Sequence, residues 1–278
     1  MSKPVFYTFG GSVWAAVPEL AIRELGYPSD AIDIRILNLL EAENFEPKFL
    51  NINEHGTLPT LLANGETYKT TKEVLNYLID HAPKPAGKAS GTDLIEKVHE
   101  AKADPNFAFL LARNDEELQA KIGGKQGFPY LYITNRQNKL KSVTNAPGAD
   151  AHAKFYEAKQ TGDALAQKLY GEVATEEEKA TYFKISTEHW VNLRAFILSD
   201  LPGYLPESGF IGGERPGEDD FHLGGWLARI VACTGGSDIN ALAGDAALGK
   251  SVPEKLVAYW KTWSGRESWK EVYADGLH

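Results

Sequence analysis

Residues 51–78 read NINEHGTLPTLLANGETYKTTKEVLNYL, and the fold follows from how this stretch divides. Thr60-Leu61-Leu62-Ala63 is an apolar run of strand length. Asn64-Gly65 supplies the positive φ angles of a tight two-residue turn, and a second short strand returns before a helix opens at Thr71. Pro59 stands at the mouth of the first strand, where its missing N–H removes nothing from a ladder and where a cis peptide is best tolerated. The main chain of Leu58 is thereby left as an open edge.

Upstream, Val5 to Phe9 is a β-prone run that Gly10-Gly11 interrupts. Ser12 is a natural N-cap for a helix whose apolar positions Val13, Val17, Leu20, Ala21 and Leu25 recur three or four apart. Gly26 is its stop, and Pro18 removes one hydrogen bond within it. Ile32 to Leu39 then alternates as a strand. Strand, helix, strand makes a right-handed βαβ unit, and the hairpin and Thr71 helix add an antiparallel half. The pattern alone therefore gives a thioredoxin-like domain over residues 1–82.

Residues 83–92, rich in Pro, Gly and Ser, are the clearest linker. Beyond them, over 93–278, the apolar period is helical. Leu94, Ile95 and Val98 open one helix; Phe107 to Leu111 is an apolar run; Ala153 to Leu169 carries Phe155, Ala158 and Leu165. Thr175 to Glu178 is a capping box ahead of a long helix through Trp190 and Ile197. Asp219 or Asp220 begins another, and Pro253 suits the first turn of a last one. Residues 122–150 break the pattern. Phe128 to Thr134 and Leu140 to Thr144 read as two extended pieces around a polar turn, an insertion placed either at a dimer surface or as a wall over a cleft.

The composition excludes several classes of function. With 29 basic and 38 acidic residues the net charge is −9, which argues against nucleic acid as a partner. Cys233 is the only cysteine, so no intramolecular disulfide or multi-cysteine zinc site is expected, and a reducing compartment follows. No run approaches the roughly 18 apolar residues of a membrane span, and no leader is evident, so a soluble cytoplasmic protein is expected. The seven histidines are not spaced as zinc ligands, and the glycine pairs fit no phosphate loop, so no metal or nucleotide is expected.

The central stretch resembles the second half of the thioredoxin-like domain of glutathione transferases. That family carries N-x-x-G-K-V-P-T-L with a cis proline, a hairpin, and a Glu-Ser pair opening a helix that continues A-I-x-x-Y-L. Gly56-Thr57-Leu58-Pro59-Thr60-Leu61 takes the loop positions. Without a gap, Thr70-Thr71 falls on Glu-Ser and Val74-Leu75-Asn76-Tyr77-Leu78 on the tail. The family lysine and glutamate are both threonine here. The resemblance implies a thioredoxin-like glutathione-binding domain followed by an all-helical one. Glutathione would be the co-substrate, its cysteinyl part paired with the Leu58 main chain beside Thr57 and Pro59, and its γ-glutamyl carboxylate facing Thr70 and Thr71.

The family's catalytic serine or cysteine stands at the first strand-to-helix junction. Counting back from Leu20-Ala21-Ile22-Arg23-Glu24-Leu25-Gly26 puts Ser12 there. Its hydroxyl and the helix N-terminus would stabilise the glutathione thiolate. Ser12 also serves simply as an N-cap, and Tyr7 is a second candidate hydroxyl. The junction Phe9-Gly10-Gly11-Ser12-Val13-Trp14, the long helical domain and the insertion are most similar to the fungal-specific class A, etherase-related transferases associated with wood-derived aromatics. This implies a homodimeric detoxification enzyme acting on hydrophobic aromatic electrophiles, with Phe9, Gly11 and Trp14 as acceptor-site candidates. Trp226, Trp260, Trp263 and Trp269 are further candidates to line that site. The alternative is a non-catalytic, ligandin-type binder of hydrophobic aromatics on the same fold. A third reading is a structural or regulatory member that binds neither ligand.

Overall fold

The computed structural model describes residues 3–245 and 247–278. Its first domain is a four-stranded sheet in the order β2-β1-β3-β4, from Asp33–Ile36, Val5–Thr8, Thr60–Ala63 and Glu66–Tyr68 respectively. Strand β1 runs parallel to β2, with Val5 opposite Asp33, and antiparallel to β3, with Val5 opposite Leu62. The hairpin forms as expected: Asn64 and Gly65 both have positive φ, 56° and 84°, and the Leu58–Pro59 peptide is cis.

Helix α1 (Val13–Glu24) starts at Ser12, whose side chain accepts from Ala15 N, and ends before Gly26 at φ 73°. Between strands lies α2 (Pro47–Leu50), and after the hairpin comes α3 (Thr71–Asp80). The cap of α3 is Thr70, one residue before the expected start, in a reciprocal capping box with Glu73. This is a thioredoxin-like domain.

No helix or strand is present from His81 to Asp93. The second domain is helical: α4 (Leu94–His99), α5 (Pro105–Leu110), α6 (Asp115–Ile122), α7 (Phe128–Val143), α8 (Ala153–Gly162), α9 (Ala164–Tyr170), α10 (Glu176–Ala195), α11 (Leu201–Tyr204), α12 (Glu218–Ala232), α13 (Glu254–Ser264) and α14 (Glu267–Val272). The Thr175–Glu178 capping box is present at the start of α10. Pro253 is the N-cap of α13, and α14 follows it as a further short helix.

Residues 128–143 overturn the expectation of two extended pieces, for they form the single 16-residue helix α7. Its buried positions Pro129, Ile133, Arg136, Leu140 and Val143 recur at four and three residues, which is one face of a helix. The β-prone cluster Tyr130-Leu131-Tyr132-Ile133 misleads because local preference yields to packing. Arg136 sits where an apolar residue would have disclosed the helical seam. Trp226, Trp260, Trp263 and Trp269 are all core residues, at most 5% exposed.

One apolar cluster runs through both domains, from Phe6 and Leu61 in the sheet through Leu20 and Leu75 to Trp226, Leu227 and Trp263. Helix α12, buried along nearly its whole length, packs on α1. Gly225 permits that approach, since a Cβ there would lie 3.0 Å from Val17 Cγ2 and 3.1 Å from Val13 O. No helix among the described residues is long and apolar enough to cross a membrane.

Trp14 of α1 stacks on His99 at 3.9 Å between ring centroids, and His99 Nε2 lies 2.9 Å from Nδ1 of the fully buried His222 on α12. His222 Nε2 has no partner, and burial holds this imidazole well below the usual histidine pKa. Between that depressed value and about 6.5, the unfolded chain takes up a proton at this position and the folded chain does not. The contribution of His222 to stability is therefore complete above pH 7 and is lost as pH falls. The urea midpoint is expected to drop between pH 7 and pH 5, with a shallower drop in His222→Gln; parallel pH profiles for the two proteins would refute this assignment.

Candidate functional site

A cavity of about 230 Å³ opens between the two domains at the start of α1. From the first domain it is lined by Phe9, Gly11, Ser12, Val13, Trp14, Leu39, Asn44, Gly56, Thr57 and Leu58. The structure thus brings together Ser12, Thr57, Leu58, Phe9, Gly11 and Trp14 of the residues expected from sequence. Pro59 is buried beside the cavity without lining it, and neither Thr70 nor Thr71 is a lining residue. The Thr70 hydroxyl accepts from Glu73 N as the cap of α3, while Glu73 Oε2 accepts from Lys69 N and Thr70 N. Tyr7 also lies off the cavity, with its hydroxyl accepting from Arg35 and its ring against Phe49.

Ser12 is 9% exposed. Its N–H donates to Phe9 O at 2.8 Å and its Oγ accepts from Ala15 N at 3.3 Å, so the side chain is fixed by the cap it makes. Among the described residues the hydroxyl proton has no acceptor, and the N–H groups of Val13 and Trp14 have no partner. One O–H and two amides at the positive end of a 12-residue helix are thus free to meet an anion.

Across the cavity neither the N–H nor the C=O of Leu58 is hydrogen-bonded among the described residues. That free edge can pair with an extended peptide. Asn53 holds the loop in place, its Nδ2 donating to Thr57 O and to Thr60 Oγ1. Asn44 Nδ2 donates to Gly56 O at 2.6 Å, leaving the buried Asn44 Oδ1 without a partner.

The second domain supplies the other wall; the segment 122–150, expected either at a dimer surface or as a wall over a cleft, contributes to it, although none of the wall's residues was singled out individually from sequence. Asn106, Phe109 and Leu110 come from α5, Phe128, Tyr132 and Arg136 from α7, Lys159 from α8 and Arg229 from α12. The lining holds three cations and no carboxylate. The cations rest on aromatic faces: Arg136 between Phe45 at 4.3 Å and Tyr132 at 4.6 Å, Lys159 over Phe155 at 5.5 Å, and Arg229 over Phe109 at 4.6 Å.

Phe109, Phe128 and Tyr132 continue ring to ring at 5.5 Å and 6.4 Å, joining Arg229 to Arg136 along one wall. Arg136 is 7% exposed and makes no hydrogen bond among the described residues. Burial, with the charge of Arg136 adding to it, lowers the pKa of Lys159. The lining is thus electropositive in a chain of net charge −9, which suits a ligand bearing more than one negative charge.

The chain thus combines a thioredoxin-like domain, a helical domain behind it, and a cleft at the first helix N-terminus. Residues 6–86 match the family model described as "Glutathione S-transferase, N-terminal domain". The whole chain is similar in fold to the β-etherase LigF of Sphingobium sp. strain SYK-6, at a TM-score of 0.63 and 14% identity, covering 99% of this chain and 100% of that one. It is also similar to glutathione transferase F7 of Populus trichocarpa (0.51, 14%, 99% of each chain) and to glutathione S-transferase isozyme E7 of Drosophila melanogaster (0.50, 14%, 99% and 92%).

Proposed function

We propose that this protein is a glutathione transferase that joins the glutathione thiolate to a hydrophobic aromatic electrophile, or cleaves such a compound by thiolate attack. The observation that carries this reading is the pairing, across one cavity, of the unbonded main chain of Leu58 with the free hydroxyl of Ser12. Glutathione lies with its cysteinyl amide against Leu58 and its sulfur toward Ser12. There the O–H and the amides of Val13 and Trp14 stabilise the thiolate. Thr57, Pro59 and the Thr70-Thr71 helix start border the peptide as the family loop does.

The glycyl end extends toward Asn44, whose free Oδ1 accepts an amide N–H, and toward Arg136 and Lys159, which take the carboxylate. The acceptor ring sits against Phe9, Gly11 and Trp14, opposite the aromatic wall of the second domain.

Titration of the protein's tryptophan fluorescence with glutathione, together with initial rates on an activated aryl halide, tests the reading; absence of both binding and turnover would overturn it. Arg136→Gln is expected to weaken glutathione binding by about 10-fold, because a hydrogen bond to a charged group contributes roughly 1.5–3 kcal/mol. An unchanged affinity would remove Arg136 from the glutathione site.

A further inference from the structure

The charge lining the cavity exceeds what glutathione neutralises, and the surplus lies at one end. This inference rests on the reading above. As a thiolate, glutathione carries two carboxylates, the sulfur anion and one ammonium, a net of −2. Arg136, Lys159 and Arg229 present +3 and make no ion pair among the described residues. Arg136 and Lys159 border the Phe45–Phe155 end beside Gly56. Arg229 is at the other end, where its Nη2 donates to Gly11 O at 2.5 Å.

Arg229 is 4% exposed and its Nε has no partner; beyond the Gly11 carbonyl it meets the face of Phe109 and, without forming an ion pair, the charge of Asp104. A guanidinium buried with one carbonyl, one ring and a carboxylate that does not reach it as an ion pair is under-compensated, because charged groups out of water call for a paired counter-charge. Its position is set from the first domain, since Gly11 immediately precedes Ser12.

We propose that Arg229 anchors a carboxylate on the acceptor, so that the enzyme's electrophiles are aromatic acids rather than neutral aromatics. The ring lies along Phe9, Phe109 and Phe128, and the planar guanidinium receives the carboxylate. Anchoring the acid beside Gly11 brings the ring to the sulfur held at Ser12.

The test compares 4-nitrobenzoate with its methyl ester, two unreactive ligands differing by one charge, by quenching of protein fluorescence with S-methylglutathione present. The acid is expected to bind at least about 10-fold tighter than the ester to the wild type, as a charged hydrogen bond allows. The preference should fall to within about 2-fold in Arg229→Gln and be partly kept in Arg229→Lys. Equal affinities in the wild type, or a preference that survives Arg229→Gln and is lost instead in Arg136→Gln, would overturn the proposal.

Should Arg229→Gln not fold, the wild-type ratio and that of Arg229→Lys decide the matter, with an undiminished ratio in the lysine variant counting against it. S-methylglutathione binding is measured separately. If it is absent the glutathione reading fails, and the acid and ester titrated alone still test Arg229.

Discussion

Ser12→Ala is expected to lower kcat/KM for glutathione conjugation by about 10- to 100-fold, the value of one hydrogen bond to a charged group. The hydroxyl is positioned for this before any ligand arrives. Its oxygen is engaged by Ala15 N while its proton has no acceptor among the described residues, so donation to a thiolate sacrifices no existing bond. The amides of Val13 and Trp14 remain in the variant, so activity should not vanish. A free thiol ionises near pH 8.5. Losing a donor that favours the anion raises the pKa of bound glutathione, and the rising limb of the pH–rate profile moves to more alkaline pH.

That shift separates the catalytic role from the structural one. Removing the N-cap alone costs about 1 kcal/mol of stability and leaves the pH profile where it was. Ser12→Thr keeps both cap and donor and should retain most activity. An alanine variant with unchanged rate and pH profile would leave Ser12 as a cap and nothing more.

The first domain was legible because its signals are local. Asn64-Gly65 admits one kind of turn, Ser12 and Gly26 bracket α1, and the proline at position 59 can stand only at a strand mouth. Half of the candidate site was legible for the same reason, since Ser12, Thr57 and Leu58 lie at chain junctions that a pattern marks. The opposite wall comes from four helices of the second domain, and no local signal brings Phe109, Arg136, Lys159 and Arg229 into one cavity.

Two signals were nonetheless present in the sequence. In α12 the run Phe221-His222-Leu223-Gly224-Gly225-Trp226-Leu227-Ala228-Arg229-Ile230-Val231 is apolar on every face, the mark of a buried helix. One arginine in such a helix implies a buried charge with a task. In α7, Arg136 occupies a seam position between Ile133 and Leu140, and reading it as part of a polar turn broke the helical period into two false strands.

Asp220→Ala is expected to be the most destabilising single substitution considered, costing about 3–5 kcal/mol, the range for breaking a fully buried charged network. Asp220 is 0% exposed. One carboxylate oxygen accepts from Ile211 N and from the hydroxyl of Tyr259, the other from Gly212 N and Gly217 N, all at 2.8 Å. It therefore ties together the loop before α12, the first turn of α12, and α13. Alanine would leave three buried amides and a phenol without acceptors, and each unmet group costs about 1–3 kcal/mol. Asn, with one acceptor oxygen and an N–H₂ facing donors, should fall between wild type and Ala.

Helix α12 also carries Arg229 and, through Gly225, seats α1 with Ser12 at its start. Loosening its first turn should then weaken glutathione binding as well as lower the urea midpoint, even though Asp220 does not line the cavity. A loss below about 1 kcal/mol, typical of an exposed cap, would mean that the loop satisfies its own amides once the carboxylate is gone. A large loss with intact glutathione affinity would mean instead that α1 is held in place by the sheet and α3, without help from α12.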